Sequence, residues 1–279
     1  MFKYFKESFR RKKARRITQE YPAKIDSFNL KEEGKIEFAN WDNPLLSPKK
    51  VSQEMVDFFK KFIKKGDLVI DIGANIGDTT VPMALAAGSS GITLGFDPNP
   101  YVFKILEINA SLNKEKQHIV PLLNAISVKD EDFYYVSSEA SFSNGAISPT
   151  KDSKHGKFIY PNKIKGINLL QFLETNYRDR LNDFSFIKID TEGYDKEIIK
   201  SIHDLIEKYK PTIVAESFGD STPEEKIELY DVIAQHGYDI FYFEDFDVTA
   251  EIIKLQNKHE ITNWKKTINV YAVPINKKA

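Results

Sequence analysis

Apolar segments that switch repeatedly between strand-like and helical spacing predict an α/β fold, a mostly parallel seven-stranded sheet flanked by helices. Residues 68–72, 92–96 and 119–123 are short apolar runs, and the stretches between them, 77–87 and 101–112, carry helical spacing. The alternation returns at 184–189 and 212–215 around the helical 196–208, and 240–243 and 268–273 complete the set. A chain of 279 residues with 41% hydrophobic content can bury one such core, and a second would be a squeeze. The expected organisation is a basic tail at 1–16, a lead-in at 17–51 and one α/β domain at 52–275.

In the tail, Lys3, Lys6, Arg10, Arg11, Lys12, Lys13, Arg15 and Arg16 stand against one acid, Glu7, a local charge of +7. The whole chain carries −1, so the remainder is −8 and no nucleic-acid partner is expected of it. Phe2, Phe5 and Phe9 recur at helical spacing opposite a basic face, a pattern of a plain frayed, solvated basic helix that also suits an anionic membrane surface. The lead-in has turn signals at Gly34, Pro44 and Pro48 and reads as a segment packed on the main domain. From Ser52, the apolar Met55, Val56, Phe58, Phe59, Phe62 and Ile63 form a helical stripe that ends before Gly66. At 133–147 the rhythm breaks, and Phe-Tyr-Tyr-Val with Ser-Asn-Gly-Ala predicts a hairpin or lid inserted between units. A helix around 169–173 restores it; Pro211 leads into the strand at 212–215, and Thr222 caps a helix starting at Pro223.

Cysteine is absent, which excludes disulfides, thiolate metal sites, iron–sulfur clusters and a cysteine nucleophile. The histidines, His118, His155, His203, His236 and His259, stand in no motif, so no metal site is expected. No apolar run approaches the roughly 20 residues that span a bilayer, and the first residues lack a secretory signal's apolar stretch. The expected compartment is the cytoplasm, with peripheral contact to the inner face of a membrane through residues 1–16 as the tail's functional reading.

Asp71-Ile72-Gly73-Ala74-Asn75-Ile76-Gly77 follows a strand and opens a helix, so its glycines let the backbone turn tightly against a ligand. It is neither the G-x-G-x-x-G of dinucleotide sites nor the G-x-x-x-x-G-K-[ST] of phosphate-cradling loops. A carboxylate ahead of the glycines would repel a pyrophosphate and can hold an ammonium or sulfonium. S-adenosylmethionine (SAM) carries both cations. Asp97-Pro98-Asn99-Pro100 closes the second strand and offers a carboxylate to two ribose hydroxyls, its prolines fixing the turn. Asn124-Ala125 closes the third and could meet an adenine through an amide and a small apolar contact, or serve only as a turn.

With Asp71 to Thr80, Asp97 to Pro100 and Lys188-Ile189-Asp190-Thr191-Glu192-Gly193, the chain resembles the FkbM-type methyltransferase family. The family pattern is D-x-G-A-N-x-G-x-x-T, then E-P-x-P, then K-x-D-x-E-G, and later an acid closing a strand that follows a proline. Asp97 replaces the commoner glutamate, keeping the charge with a shorter reach, and Glu216 supplies the late acid after Pro211. The resemblance spans roughly residues 52–245. It implies a class I SAM-methyltransferase (Rossmann-like) sheet with an antiparallel last strand, and methyl transfer to a hydroxyl of a sugar, glycolipid, polysaccharide or secondary metabolite.

Residue chemistry supports a chemical end at the same place. In open α/β sheets ligands gather at the carboxyl ends of strands, where Asp190 and Glu192 lie. Methylating a neutral hydroxyl needs in-line approach and a base, for which Asp190 is the first candidate and Glu192 the second. Lys188 shares a strand face with Asp190 and is placed to pair with it or orient the oxygen. Glu216 and Tyr194 are candidate acceptor-binding residues. The same carboxylates could instead cap the next helix or hold a loop. An amino-methyltransferase of nucleic acids would carry N-P-P-[YF] or D-P-P-[YF] where this chain has Asp190-Thr191-Glu192-Gly193. The alternative from another class is a SAM-binding protein that docks at a membrane through its tail without catalysis.

Overall fold

In the computed structural model, residues 2–151 and 156–275 are described, with side chains from residue 5 on; His155 lies outside the described residues. The tail forms helix α1 (Phe2–Ala14), a run without glycine or proline whose basic last turn, Arg11, Lys12 and Lys13, suits the negative end of the helix dipole. The lead-in is more regular than its turn signals imply. It folds into an antiparallel hairpin, β1 (Ala23–Leu30) and β2 (Gly34–Trp41), turning at Gly34 with φ of 70°. Helix α2 (Gln53–Lys60) begins where the Ser52 hydroxyl accepts from the Met55 amide at 3.2 Å, and it buries Val56, Phe58 and Phe59.

The winding then starts with β3 (Leu68–Ile72), α3 (Thr80–Ala87), β4 (Ile92–Phe96), α4 (Pro100–Ser111) and β5 (Ile119–Leu122). Every residue of β3 is buried, as a strand covered on both faces requires. On α4, Asn109 is fully buried: its Oδ1 accepts from the Ala39 amide at 2.7 Å, and its Nδ2 donates to the carbonyls of Ala39 and Ile76. One side chain thus fastens the hairpin to the loop after β3.

The insertion is larger than a hairpin. Among the described residues it comprises β6 (Ala125–Ile126), β7 (Glu131–Ser137), β8 (Ala146–Ser148), β9 (Phe158–Ile159) and β10 (Ile164–Ile167), a separate five-stranded sheet. Antiparallel β7 and β8 are the hairpin the sequence signals. The strands it misses, β6, β9 and β10, have only 2, 2 and 4 residues, too few to display a period.

The main sheet resumes with α5 (Leu169–Asn176), β11 (Phe184–Ile189), α6 (Asp195–Ser201), α7 (His203–Tyr209), β12 (Thr212–Ser217), α8 (Pro223–Ala234), β13 (Tyr238–Phe243), β14 (Ile252–Lys254) and β15 (Ile268–Pro274). The helical stretch at 196–208 is divided at Ile202 into α6 and α7. Thr222 and Glu225 start α8 with a reciprocal capping box.

Among the described residues the sheet has eight strands where seven are expected, in the order β14-β13-β15-β12-β11-β3-β4-β5. The additional strand is β14, an edge strand exposed at all its positions and therefore without a buried face to mark it in the sequence. From β5 to β12 the strands run parallel, and β15 inserts antiparallel between β12 and β13. Strand order reverses between β3 and β11, so the carboxyl ends of these two strands border the crevice where such sheets hold ligands.

Candidate active site

At the end of β3, Asp71 is fully buried, and its Oδ2 accepts from the hydroxyls of Thr79 at 3.0 Å and Thr80 at 2.7 Å. Its Oδ1 meets Lys188 Nζ at 3.3 Å. Sequence expects Asp71 to meet the ligand; its side chain faces the loop and the neighbouring strand. Ala74, Gly77 and Thr80 likewise pack behind the loop and do not line the crevice, whereas Gly73 and Asn75 do. Gly73 is obligatory. Its φ is 78°, and a Cβ there would lie 2.1 Å from the Asp190 carbonyl oxygen, so only glycine lets the ends of β3 and β11 touch.

At the end of β4, Asp97 is buried and lines the crevice. Its Oδ2 accepts from the Asn75 amide at 2.7 Å and its Oδ1 from the Asn99 amide at 2.8 Å. Burial pushes its pKa up to about 7, against the lowering pull of those two N–H groups. Pro98 lines the same wall. The Asn99 side chain donates to the Phe142 carbonyl at 2.8 Å, tying the turn to the inserted sheet. Asn124 and Ala125 also line the crevice, but the Asn124 amide donates to the Lys165 carbonyl at 3.1 Å.

At the end of β11, Lys188 is buried and bridges Asp71 to Asp190, whose Oδ2 lies 3.1 Å from Nζ. Burial opposes the ammonium, yet Asp190 and Asp71 hold its pKa above the ordinary lysine value. Glu192, at φ of 53°, and Gly193, at 102°, turn the chain sharply and leave Glu192 and Tyr194 exposed on the crevice wall. Asp195 fixes this turn: Oδ2 accepts from the amide and hydroxyl of Thr191, and Oδ1 from the Glu216 amide at 2.9 Å. Burial pushes Asp195 up to about 6. Glu216, on β12, also lines the crevice, and its buried Oε2 has no hydrogen-bond partner among the described residues. Burial, then the charges of Asp190, Asp195 and Glu192, push its pKa up to about 8.

These walls enclose a cavity of about 940 Å³, at the upper end of the usual range for small-molecule sites. The inserted sheet closes one side through Tyr135 and 143–147, and the lead-in contributes Lys49, paired to Asp78 at 2.8 Å. Neither Tyr135 nor Lys49 stands in a motif; the break in rhythm at 133–147 is the only sequence signal pointing at Tyr135. Among the described residues, no group of three or more histidines and acids is arranged to hold a metal ion.

A family model for the methyltransferase FkbM domain matches residues 71–240, from the end of β3 to β13. The chain belongs to the FkbM methyltransferase family. Its sheet, with a ligand crevice at the switch point, is Rossmann-like, and membership of a methyltransferase family makes SAM the cofactor. The fold is similar to solved structures at low identity. A methyltransferase FkbM from Methylobacillus flagellatus KT is 14% identical over 76% of this chain and 44% of that chain, with a TM-score of 0.46. A precorrin-6y C5,15-methyltransferase from Geobacter metallireducens GS-15 is 13% identical over 80% and 90%, with a TM-score of 0.40. A SAM-dependent O-methyltransferase from Thermotoga maritima is 11% identical over 92% and 80%, with a TM-score of 0.41. No curated protein matches the chain by sequence. Helix α1, the β1–β2 hairpin and β15 lie outside the FkbM match, although the hairpin is fastened to the site through Asn109.

Proposed function

We propose that this FkbM methyltransferase transfers methyl from SAM to a hydroxyl of a sugar, glycolipid, polysaccharide or secondary metabolite, with a carboxylate as base. One observation carries the reading. A carboxyl with an unpartnered buried oxygen, Glu216, lines the same cavity as Asp97, on the far side of Asp190 and Glu192 in the strand order.

The residues present fit the cofactor. Each oxygen of Asp97 spends one acceptor position on a backbone amide and keeps another for a ribose hydroxyl. Gly73 and Asn75 give the cofactor a close backbone approach, and Pro98, Asn124 and Ala125 border the space for its base. When bound, SAM supplies a methyl group on a sulfonium centre, electrophilic without further activation. The chain's task is then to hold the acceptor oxygen in line and remove its proton.

Lys188 keeps Asp190 in one orientation at the cavity wall, and Asp190 with Glu192 accepts hydrogen bonds from acceptor hydroxyls. Glu216 rather than Asp190 takes the proton, because the Asp190 carboxylate is already engaged by Lys188 while Glu216 has a free oxygen. Tyr194 borders the acceptor at the exposed rim. A carboxyl with its pKa near 8 is well matched to accepting a proton close to neutral pH.

Incubating the protein with methyl-labelled SAM and fractionated glycan and lipid extracts tests the assignment. The expected product carries the label as a base-stable methyl ether. Label found on nitrogen or carbon would overturn transfer to oxygen.

A further inference from the structure

The tail stands outside the FkbM match, yet the fold gives it a defined pose. At 3.6 residues per turn, Phe5 and Phe9 fall within about 40° of each other, and Ala14 falls on nearly the opposite side. Burial follows that division. Ala14 is completely buried, and Arg10 on the same side reaches Asp42 at 3.5 Å. Phe5 and Phe9 are 63% and 70% exposed, and Ile17, just past the helix, is 52% exposed. Lys12 and Lys13 flank the phenylalanine face on either side, and all seven basic residues from Lys6 to Arg16 are exposed.

The helix is also coupled to the cavity. Arg15 pairs with Glu139 at 3.1 Å, and its carbonyl accepts from the Ala140 amide at 3.3 Å. Glu139 in turn accepts from the hydroxyl of Ser143, which lines the cavity wall. A surface gripped by α1 would therefore lie beside the loop that closes one side of the site.

We infer that α1 docks the protein on an anionic lipid surface, with Phe5 and Phe9 entering the headgroup layer and the flanking lysines and arginines meeting lipid phosphates. This sets the cavity beside that layer, so the acceptor hydroxyl belongs to a membrane-borne molecule, a step that rests on the proposed transfer to a hydroxyl. Charge complementarity selects the partner: a +7 segment is carried on a body of −8, which itself repels polyanions. Exposed aromatic side chains on the outward face distinguish a bilayer from a nucleic acid, whose phosphates would be met by the bases alone.

Co-sedimentation of the full chain with vesicles of phosphatidylcholine alone, and of phosphatidylcholine with phosphatidylglycerol, tests the docking. Binding is expected only with the anionic lipid, weakening as salt rises. The F5S/F9S double variant should lose at least tenfold in binding. K12Q and K13Q should lose about fivefold each. SAM affinity by calorimetry should stay unchanged in all of them. Equal binding to both vesicles, full binding by F5S/F9S, or tight binding to a duplex oligonucleotide without lipid binding overturns the docking. For the acceptor, label from methyl-labelled SAM incubated with isolated membranes should enter the organic-soluble fraction. Vesicle binding with label only in water-soluble glycans overturns the membrane-borne acceptor alone. Intact SAM and vesicle binding with no methylated product in any fraction overturns instead the proposed transfer.

Discussion

Lys188 and Asp71 are register partners on the adjacent parallel strands β11 and β3, and their side chains meet at 3.3 Å in a buried ion pair. The two motifs that lie more than a hundred residues apart in the chain are thus joined inside the sheet, one strand spacing from each other. Two carboxylates share the ammonium, so removing it leaves a buried charge at Asp71 with only two threonine hydroxyls. Lys188→Met should cost about 3–5 kcal/mol of stability, the range for breaking a buried pair. Urea unfolding measures it. A loss below about 1 kcal/mol would mean that the pair does not hold the strands together.

Glu216 sets the expected pH dependence of turnover. Its pKa stands at about 8, so at lower pH most molecules hold a proton on the proposed base and cannot accept another. With SAM saturating, so that ionisation of Asp97 does not enter, kcat/KM for the acceptor should rise about tenfold per pH unit below that point and level off above it. Glu216→Gln should lose about 10²–10⁴-fold and flatten the profile. Asp190→Asn, which loosens positioning but leaves the base, should lower the rate and keep the profile's shape. A wild-type profile flat from about pH 6 to 9 would remove Glu216 from the role.

Asp97 makes the cofactor-free protein less stable as pH rises. Its folded pKa of about 7 exceeds that of an unfolded aspartate, about 3.9, so between those values the native state holds the extra proton. Stability is therefore fully supported below the unfolded value and is lost as pH climbs through the folded one. Asp195, at about 6, and Glu216, at about 8, act with the same sign. The thermal midpoint should fall from about pH 5 to 8, and Asp97→Asn should remove part of the slope, roughly a few kcal/mol in total. Scanning calorimetry across that range decides, and a rising midpoint would contradict the buried acid. SAM affinity should move oppositely, tightening as Asp97 ionises to accept two hydroxyls.

Strand ends were the legible part of this site. Apart from Asp71, Ser185 and Lys188, residues 68–72 and 184–189 are apolar because both faces are covered, so most of the polar chemistry falls to the loops after them. Gly73, Asp97 and Asp190 follow from that reasoning and do line the cavity. Asp71 was less legible, because what decides its role is Lys188 across the sheet and two hydroxyls on the next turn, none of which spacing alone reveals. Asp195 stands just ahead of the helical stretch 196–208 and in no motif, yet it fastens Thr191 and the Glu216 amide. Short exposed β14 and the two-residue strands of the insertion lack any pattern long enough to read.

Asn109 should prove to be the fastener between the β1–β2 hairpin and the loop after β3. Its side chain makes three hydrogen bonds in a fully buried position, to the Ala39 amide, the Ala39 carbonyl and the Ile76 carbonyl. Asn109→Ala leaves those three backbone groups without their partner, and water cannot reach them without opening the contact between α4 and β2. An unsatisfied buried group costs about 1–3 kcal/mol, and partial relaxation should bring the total to about 2–4 kcal/mol. Asn109→Asp is the sharper probe. It keeps the acceptor for the Ala39 amide, but it replaces the donor with a carboxylate facing two carbonyl oxygens, so it should be worse than alanine. Hydrogen exchange separates a local effect from a global one. In Asn109→Ala the Ala39 amide should lose protection well before the amides of β3 and β11, because the hairpin can detach while the main sheet stays folded. If Ala39 and the central strands instead lose protection together, the hairpin is part of the main cooperative unit and Asn109 is not what holds it.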